Sequence, residues 1–298
     1  MKKIDVIVAT EQHYISPAAS DWRGIQVKNE DNCVIDALQS IGLNTIRKGW
    51  DDPDFDWSFC SAVLIRTTWN YSENFEKFQT WLSQITKQAR LFNSLPTIQW
   101  NINKRYIQDM ENKGINVVST LYVSSPVVLR EVMRKQGWPE IVIKPVVSAG
   151  ALDTYRISLD NVEKYQPVLE KLVAEKEMMI QPLQKNILIS GEKSCIVLAN
   201  RFSHAIRKIP KPGDFRVQEV YGGCVEPYSP TEEEKRFAED AIAAAPYPVQ
   251  YARVDFTEDE NNKPVLMELE LIEPELFFRF HPQAATALAE CIYENLER

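Results

Sequence analysis

Apolar and polar positions alternate along the first third of the chain with the two periods that distinguish strands from helices. The predicted elements are, in order, a strand at 4–9, a helix at 29–41, strands at 43–46 and 62–65, and a helix at 73–90. Short connections and a β-α-β-β-α order are typical of an open α/β layer. We therefore assign residues 1–97 to an N-terminal α/β domain. Neither a GxGxxG nor a GxxxxGK[ST] motif occurs in the chain, so a Rossmann or P-loop site has no motif support.

The rest of the chain divides into two further blocks with mixed strands and helices. The second block, 98–182, is predicted to contain a helix at 102–113, a strand at 119–123, a helix at 127–136, strands at 141–144 and 154–157, a helix at 162–174 and a strand at 177–181. The third block, 183–298, is predicted to contain a hairpin of 194–198 and 202–208, a helix at 231–245, a hairpin of 251–256 and 264–271, and a helix at 282–296. The fold class is therefore α/β (α+β) in three parts.

Composition and charge exclude several classes of protein. The 34 Lys and Arg residues against 42 Asp and Glu residues give a net charge of −8, which argues against a nucleic-acid partner. Five scattered Cys and three His residues lack the spacing of a disulfide framework or a zinc site and suit a reducing compartment. No apolar run approaches the roughly 20 residues that span a bilayer. We expect a cytoplasmic protein with no membrane partner.

The last predicted hairpin carries the most informative cluster of side chains. If its turn centres on residues 261–262, Asp255 lies opposite Glu268, and Glu268 and Glu270 share that face with Leu266. Like charges placed opposite each other destabilise a sheet, so a divalent cation, a shared proton or Arg and Lys partners must offset them. A solvated sheet face is the ordinary alternative. Oxygen ligands alone suit Mg²⁺ or Mn²⁺, which in turn suggests a phosphate-bearing ligand.

Cations that would meet such a ligand occur upstream of the carboxylates. Lys144 ends an apolar strand, and the small residues Ser148–Ala151 follow it; such a loop lets backbone N–H groups approach phosphate oxygens. Lys104, Lys208 and Arg216 complete the set. Taken singly, each is more often a solvated charge, and the loop more often an ordinary turn, so the argument rests on their order along the chain.

A substrate side is predicted where the third strand ends. Arg66, Trp69 and Asn70 follow that strand, and the carboxyl ends of strands are where open α/β sheets bind ligands. Arg66 would clamp a carboxylate in a bidentate manner, with Phe277 beside the substrate. Residues 21–23 are expected in a loop that would form a lid. A surface arginine, core aromatic residues and a surface loop are the corresponding ordinary interpretations.

In their order, these motifs resemble ATP-grasp enzymes over about residues 97–298. Within that superfamily the motifs at 207–210, 214–218 and 268–274 are most similar to bacterial glutathione synthetase and the ligase group that closes D-cycloserine. The resemblance implies two α+β lobes that clasp ATP, with nucleotide contacts from Lys104, Lys144, Ser148, Ala149, Gly150, Gln181, Pro182, Leu183 and Glu192. It also implies Mg²⁺ (or Mn²⁺) ligands at Asp255, Glu268 and Glu270, usually for two ions, and catalytic roles for Lys144, Lys208 and Arg216. Many ATP-grasp ligases have Glu-x-Asn where this chain has Glu268-x-Glu270.

The resemblance implies an ADP-forming ligase. A small or amino-acid-like carboxylate would attack the terminal phosphate of ATP, and an amine would then displace phosphate from the acyl phosphate to form a C–N bond or close a ring. A phosphotransferase on the same fold, a nucleotide-binding regulatory protein without turnover and a purely structural role for the carboxylates are the alternatives. The sequence leaves a homo-oligomer open.

Overall fold

The computed structural model describes residues 3–296, whose strands form three sheets. The first sheet is parallel, has the order β2-β1-β3-β4 and consists of β1 (Ile4–Thr10), β2 (Thr45–Gly49), β3 (Cys60–Thr67) and β4 (Arg90–Phe92). Helix α1 (Trp22–Ser40) covers one face and α2 (Phe75–Ile85) covers the other. Because β1 connects to β2 on one side and β3 lies on its other side, the order of strands reverses between β1 and β3.

The second sheet is antiparallel and has its own core. Two short helices lead into it, α3 (Leu95–Ile102) and α4 (Tyr106–Asn112). Its strands, in the order β5-β8-β6-β7, are β5 (Leu121–Val123), β6 (Glu140–Pro145), β7 (Tyr155–Ser158) and β8 (Met178–Pro182). Helices α5 (Leu129–Gln136) and α6 (Val162–Val173) pack on this sheet around Ile141, Ile143 and Ile157.

The third sheet is also antiparallel and has the order β11-β10-β9-β12-β13. Its strands are β9 (Glu192–Leu198), β10 (Arg201–Ile209), β11 (Cys224–Tyr228), β12 (Tyr251–Glu258) and β13 (Pro264–Glu270). Its helices are α7 (Asn186–Ser190), α8 (Glu232–Ala243) and α9 (Ala284–Leu296). None of the helices within residues 3–296 has the length and apolar character needed to cross a bilayer.

The structure differs from the predicted elements at three places that matter for the site. Helix α1 begins seven residues before the predicted start at Asn29, because the side chain of Asp21 accepts the N–H of Gly24 and caps it. Residues 21–23 are thus a helix start and not a loop. The predicted helix at 102–113 is shorter, because α4 begins only at Tyr106; an unpredicted helix, α3, ends at Ile102, and Lys104 lies in the break between the two. Strands β4 and β11 and helix α7 were not predicted; each has five residues or fewer.

The last helix packs against the first. Leu288 and Ile292 of α9 share a core with Val34 and Leu38 of α1. The last helix of the third predicted domain therefore packs on the N-terminal layer. The boundaries at residues 97 and 182 stay predictions, and residues 1, 2, 297 and 298 of the outer domains lie outside the described residues.

Three buried side chains fasten the β12–β13 hairpin to the N-terminal layer. The hydroxyl of Tyr251 lies 2.8, 3.0 and 2.8 Å from the carbonyl oxygens of Ile65, Phe92 and Ile272. The amide of Asn93 donates to the carbonyls of Tyr251 and Leu271. The amide of Asn101 donates to the carbonyl of Leu269 and accepts the N–H of Leu271. Since polar groups buried away from water are costly without partners, these bonds fix where the hairpin lies.

We predict that Tyr251→Phe lowers the free energy of unfolding by about 1–3 kcal/mol, because three buried carbonyls lose the one donor they share. Urea unfolding followed by circular dichroism measures the change, and Tyr247→Phe, at a side chain that is 42% exposed, is the matched control. Equal stability of the two variants would contradict the role given to the hydroxyl.

Candidate active site

One cleft of about 610 Å³ lies where the three sheets meet. Lys144 enters it from β6, Lys208 from β10, Asp255 from β12, and Glu268 and Glu270 from β13. Lys104 lines the same cleft, so the structure brings together cations and carboxylates that the sequence separates by up to 166 positions (270 − 104).

The predicted register of the hairpin is confirmed at the carboxylates. Asp255 pairs with Glu268, and two residues further along each strand Arg253 pairs with Glu270. A register shift follows between Asp255 and Phe256, so the expectation for Leu266 is wrong. Leu266 is fully buried in the core on the other side, because the bulge changes the side to which later residues point.

Arginine and lysine partners neutralise much of the clustered negative charge. Arg253 donates to both Asp255 and Glu270. Lys208 lies 3.0 Å from Asp255 and 2.8 Å from the carboxylate of Glu192. Of the three agents that the sequence left open, basic partners are therefore present in the structure.

The neutralisation is uneven across the carboxylates. Although burial opposes it, Arg253 and Lys208 hold the pKa of Asp255 well below its usual range. Burial and the charges of Asp255 and Glu268 raise the pKa of Glu270 to about 7, against the effect of Arg253. Burial and the charge of Glu270 raise the pKa of Glu273 to about 8. Negative charge without sufficient compensation thus remains on the β13 side of the cleft.

This uneven charge is compatible with a divalent cation. Among residues 3–296 no three acidic, His or Cys side chains already stand in a metal-binding arrangement, because the carboxylates are turned to their basic partners. The donor set is nonetheless all oxygen, as Mg²⁺ requires. Glu268, whose side chain is 31% exposed, binds Lys104 at 3.2 Å and remains open to the cleft.

Lys144 is the cation best placed to accept an anion. It lines the cleft, and no acidic side chain of the described residues forms an ion pair with it. Burial lowers its pKa, although the charge of Glu268 opposes this effect. The charged form of such a buried amine is stabilised by a phosphate that binds beside it.

Lys104 orders the small-residue loop beside Lys144. Its amine donates to the carbonyl of Ser148 at 2.7 Å. Ser148, Ala149 and Gly150 line the cleft, and the hydroxyl of Tyr221 reaches the carbonyl of Gly150 at 3.2 Å. The loop is therefore held from both sides of the cleft.

Arg216 lines the cleft but is engaged by its neighbours. Its guanidinium binds the carboxylate of Asp214 at 2.7 Å and lies 3.8 Å from the ring centre of Tyr221. The side-chain bond from Arg216 lowers the pKa of Asp214 to about 2. Contact with a phosphate would require Arg216 to exchange Asp214 for that anion.

The three consecutive residues 181–183, which are predicted to contact the nucleotide, lie at the cleft. Gln181, Pro182 and Leu183 all line it. The N–H of Leu183 already donates to the carbonyl of Glu140 at 3.0 Å, so a nucleotide would have to bind other groups of these three residues. Glu192 also faces the cleft, and burial raises its pKa.

Arg66 does not reach the cleft, so its expected contact with substrate is wrong. Its side chain is fully buried and lies 3.4 Å from the carboxylate of Glu30. Glu30 in turn accepts the N–H groups of Leu276 and Phe278 at 2.8 and 2.9 Å. These bonds hold Phe277 between them in the left-handed region at φ 54°, a costly conformation that its surroundings must enforce. Phe277 lines the cleft, as expected.

Trp69 and Asn70 both line the cleft, and each side chain has partners within the protein. The indole of Trp69 donates to the carbonyl of Glu273 at 3.0 Å, and the guanidinium of Arg23 lies over its ring at 4.7 Å. The amide of Asn70 binds Trp50 and Asp51, so this side chain is already occupied within the N-terminal layer.

Sequence reasoning missed Arg253. The same register that places Asp255 opposite Glu268 places Arg253 opposite Glu270, and residues two apart on a strand share a face. The signal was therefore present in the residues from which the carboxylate cluster was predicted.

A family model described as the RimK-like ATP-grasp domain matches residues 96–274, which is more than half of the chain. The chain belongs to the RimK-like ATP-grasp family. A second model, the N-terminal domain of D-cycloserine synthetase DcsG, matches residues 6–93. The predicted ATP-grasp resemblance and mixed α/β fold class are confirmed.

Similar proteins cover nearly the whole ATP-grasp chain. The cycloserine biosynthesis protein DcsG of Streptomyces lavendulae is 24% identical over 279 residues, which are 89% of this chain and 93% of that protein. The crystal structure of D-cycloserine synthetase DcsG has a TM-score of 0.86 at 22% identity, covering 98% of this chain and 99% of the other. The ATP-grasp ligase PsnB, with a phosphomimetic precursor variant, Mg and ADP, has a TM-score of 0.67 at 12% identity, covering 99% and 100%.

We predict that Arg66→Met lowers the free energy of unfolding by about 3 kcal/mol or more, because it leaves the buried Glu30 without its cation. Urea unfolding measures the loss, with Arg90→Met at an exposed position as the control. A variant of normal stability with a raised KM for the acid substrate would restore Arg66 as a substrate ligand.

We predict that Glu30 makes stability depend on pH between about 4.5 and 7. Burial raises the pKa of Glu30 to about 7 from 4.5, although Arg66 opposes this. The folded protein therefore holds the proton more tightly than the unfolded chain, so this contribution to stability is present at low pH and is lost as the pH rises to 7.

The comparison of wild type with Glu30→Gln isolates this contribution. The difference in their free energies of unfolding, measured in urea from pH 5 to 9, should change by roughly 1–3 kcal/mol and level off above about pH 8. A difference that stays constant with pH would contradict the assigned titration.

Proposed function

We propose that this ATP-grasp chain is an ADP-forming ligase that joins a small or amino-acid-like carboxylate to an amine, with closure of a ring within one substrate included. The observation that carries the proposal is the meeting of three lysines, Lys104, Lys144 and Lys208, with Asp255, Glu268 and Glu270 in one cleft. Phosphoryl transfer depends mainly on positioning and on cations that offset developing charge. The relatedness to DcsG and PsnB supports a ligase over other uses of the fold.

In this proposal the cleft residues bind and orient the triphosphate. The unpaired amine of Lys144 takes a phosphate oxygen, and Lys104 keeps the 148–150 loop over it. Asp255, Glu268 and Glu270 would hold Mg²⁺ or Mn²⁺, as two ions in the manner of the family, and the ions would offset charge on the phosphate oxygens. The compensation missing at Glu270 and Glu273 supports a cation at this place.

The acid substrate would lie between this cluster and the N-terminal layer. Its carboxylate takes the terminal phosphoryl group, and Lys208 and Arg216 stabilise the charge that builds on the transferred group. An amine then displaces phosphate from the acyl phosphate. The five free cysteines support the reducing, cytoplasmic setting that the sequence suggests.

The test of this proposal measures ADP and phosphate release with Mg²⁺ and a panel of amino acids and amines. A ligase releases phosphate only when both acid and amine, or one acid carrying both groups, are present. A stable phosphorylated product without amine would indicate a phosphotransferase. Binding of ATP without turnover would indicate a regulatory protein.

We predict that Glu268→Gln lowers Mg²⁺-dependent turnover on the order of 10²-fold or more, while the fold survives. Glu260→Gln, exposed at the turn of the same hairpin, should keep normal turnover. Near-normal turnover of Glu268→Gln would overturn the metal assignment.

We predict that a non-hydrolysable ATP analogue at 100 times its Kd adds about 2.7 kcal/mol to the stability of the wild-type protein. The corresponding rise in Tm is roughly 2–4 °C per kcal/mol, and it should require Mg²⁺.

A further inference from the structure

The N-terminal end of the cleft lies at the point where the order of strands reverses. Thr10, the last residue of β1, pairs with Thr67 at the end of β3. Glu11 directly follows β1, and Trp69 follows β3. Both line the cleft. Open parallel sheets bind ligands at such a position, because the two chain segments diverge there and leave a crevice.

Helix α1 contributes an arginine to the same wall. Arg23 lies in its first turn and lines the cleft. The guanidinium stacks over the ring of Trp69 at 4.7 Å, and that ring is fixed by its bond to Glu273 and by the edge of Tyr14 at 5.8 Å. Stacking holds the plane of Arg23, and its side chain also forms a hydrogen bond with the hydroxyl of Tyr14. A guanidinium has five N–H groups, so the donors that Tyr14 does not use can meet a planar acceptor.

Arg23 has no carboxylate partner among residues 3–296. The acids on neighbouring elements are already paired: Asp21 caps α1, and Glu219 and Glu275 both bind Arg279. A guanidinium that lines a cleft without an ion pair is available to a ligand.

Glu11 is an anionic residue of the same cleft, and its charge, like that of Arg23, acts on Tyr14. No basic side chain of the described part of the chain forms an ion pair with it, although it is half-buried in the cleft wall. Burial and the charge of Asp51 raise its pKa, although His13 and the backbone N–H of Asn70 oppose this. A bound cation would relieve both effects.

We propose that Glu11 and Arg23 are the specificity pair of the acid-substrate site, with Glu11 receiving an ammonium group of the substrate and Arg23 receiving a carbonyl or carboxylate of its side chain. The inference rests on the proposed ligase function, since it places the reacting carboxylate at the lysine end of the same cleft. It names the acid substrate as an amino acid with a planar acceptor in its side chain. Arg66, the residue expected to clamp substrate, is buried away from this site.

The role of Glu11 is tested by pairs of probes that differ only in the ammonium group. The probes are D- and L-asparagine and glutamine, with succinamate and glutaramate as the partners that lack it. Wild type should prefer the amino acid in kcat/KM for ADP release on the order of 30-fold or more, the effect of losing one side of a charge pair. Glu11→Gln should remove this preference, Glu11→Asp should retain part of it, and Glu290→Gln on the exposed face of α9 should leave it intact.

The role of Arg23 is tested by side chains that differ in their acceptor. Leucine has the shape of asparagine without its carbonyl, and aspartate carries a carboxylate at the same place. Arg23→Gln should abolish the preference for asparagine over leucine, whereas Arg134→Gln, exposed on α5, should not change it. The relative response of wild type to asparagine and aspartate identifies the acceptor as carbonyl or carboxylate. Because each readout is a ratio within one variant, a partly unfolded preparation does not imitate the result.

Failure of the inference and failure of the ligase function give different results. If no acid promotes ADP release, binding is measured as the rise in Tm with the same probes in the presence of ADP and Mg²⁺. Amino acids that bind in wild type and not in Glu11→Gln would uphold the specificity pair without the ligase. Equal losses for amino acids and their des-amino partners, or no binding of any probe, would overturn the pair.

Discussion

The site depends on one electrostatic constraint, which is that Asp255, Glu268 and Glu270 face the same side of a two-stranded ribbon. Arg253 lies on that face and binds two of the three carboxylates, so the ribbon can form before any ligand arrives. The bonds leave Glu268 comparatively open and Glu270 only partly neutralised. Because breaking a buried ion pair costs far more than the pair contributes when intact, Arg253 is as necessary to the hairpin as the carboxylates are to the chemistry.

The rest of the fold holds this ribbon against the crevice of the parallel sheet. Asn93 and Tyr251 bind backbone carbonyls of both parts, and Trp69 reaches the carbonyl that follows β13. The cleft wall that contains Trp69 and the carboxylate face of the hairpin are consequently connected by direct hydrogen bonds. The second sheet has a core of its own, and its contributions to the cleft include Lys144, the loop after it and Gln181.

The sequence was sufficient where a period or a register carries the information. Strand period 2 and one turn position place Asp255 opposite Glu268, and the order of cations along the chain predicts which side chains share a cleft. It was insufficient where a long-range contact decides. Arg66 follows a strand as a substrate clamp would, yet Glu30 from α1 captures it, and no local pattern announces that pair. The start of α1 was missed because a capping aspartate ahead of a weakly amphipathic turn gives little periodic signal.

The packing of α9 on α1 also has a consequence for synthesis of the protein. Val34 and Leu38 are synthesised long before Leu288 and Ile292, with which they share a core. Contacts between such distant positions form late because a long loop must close first. Until α9 has been synthesised, the nascent N-terminal layer therefore lacks the cover of this apolar face, and exposed apolar surface of this kind favours aggregation and capture by chaperones.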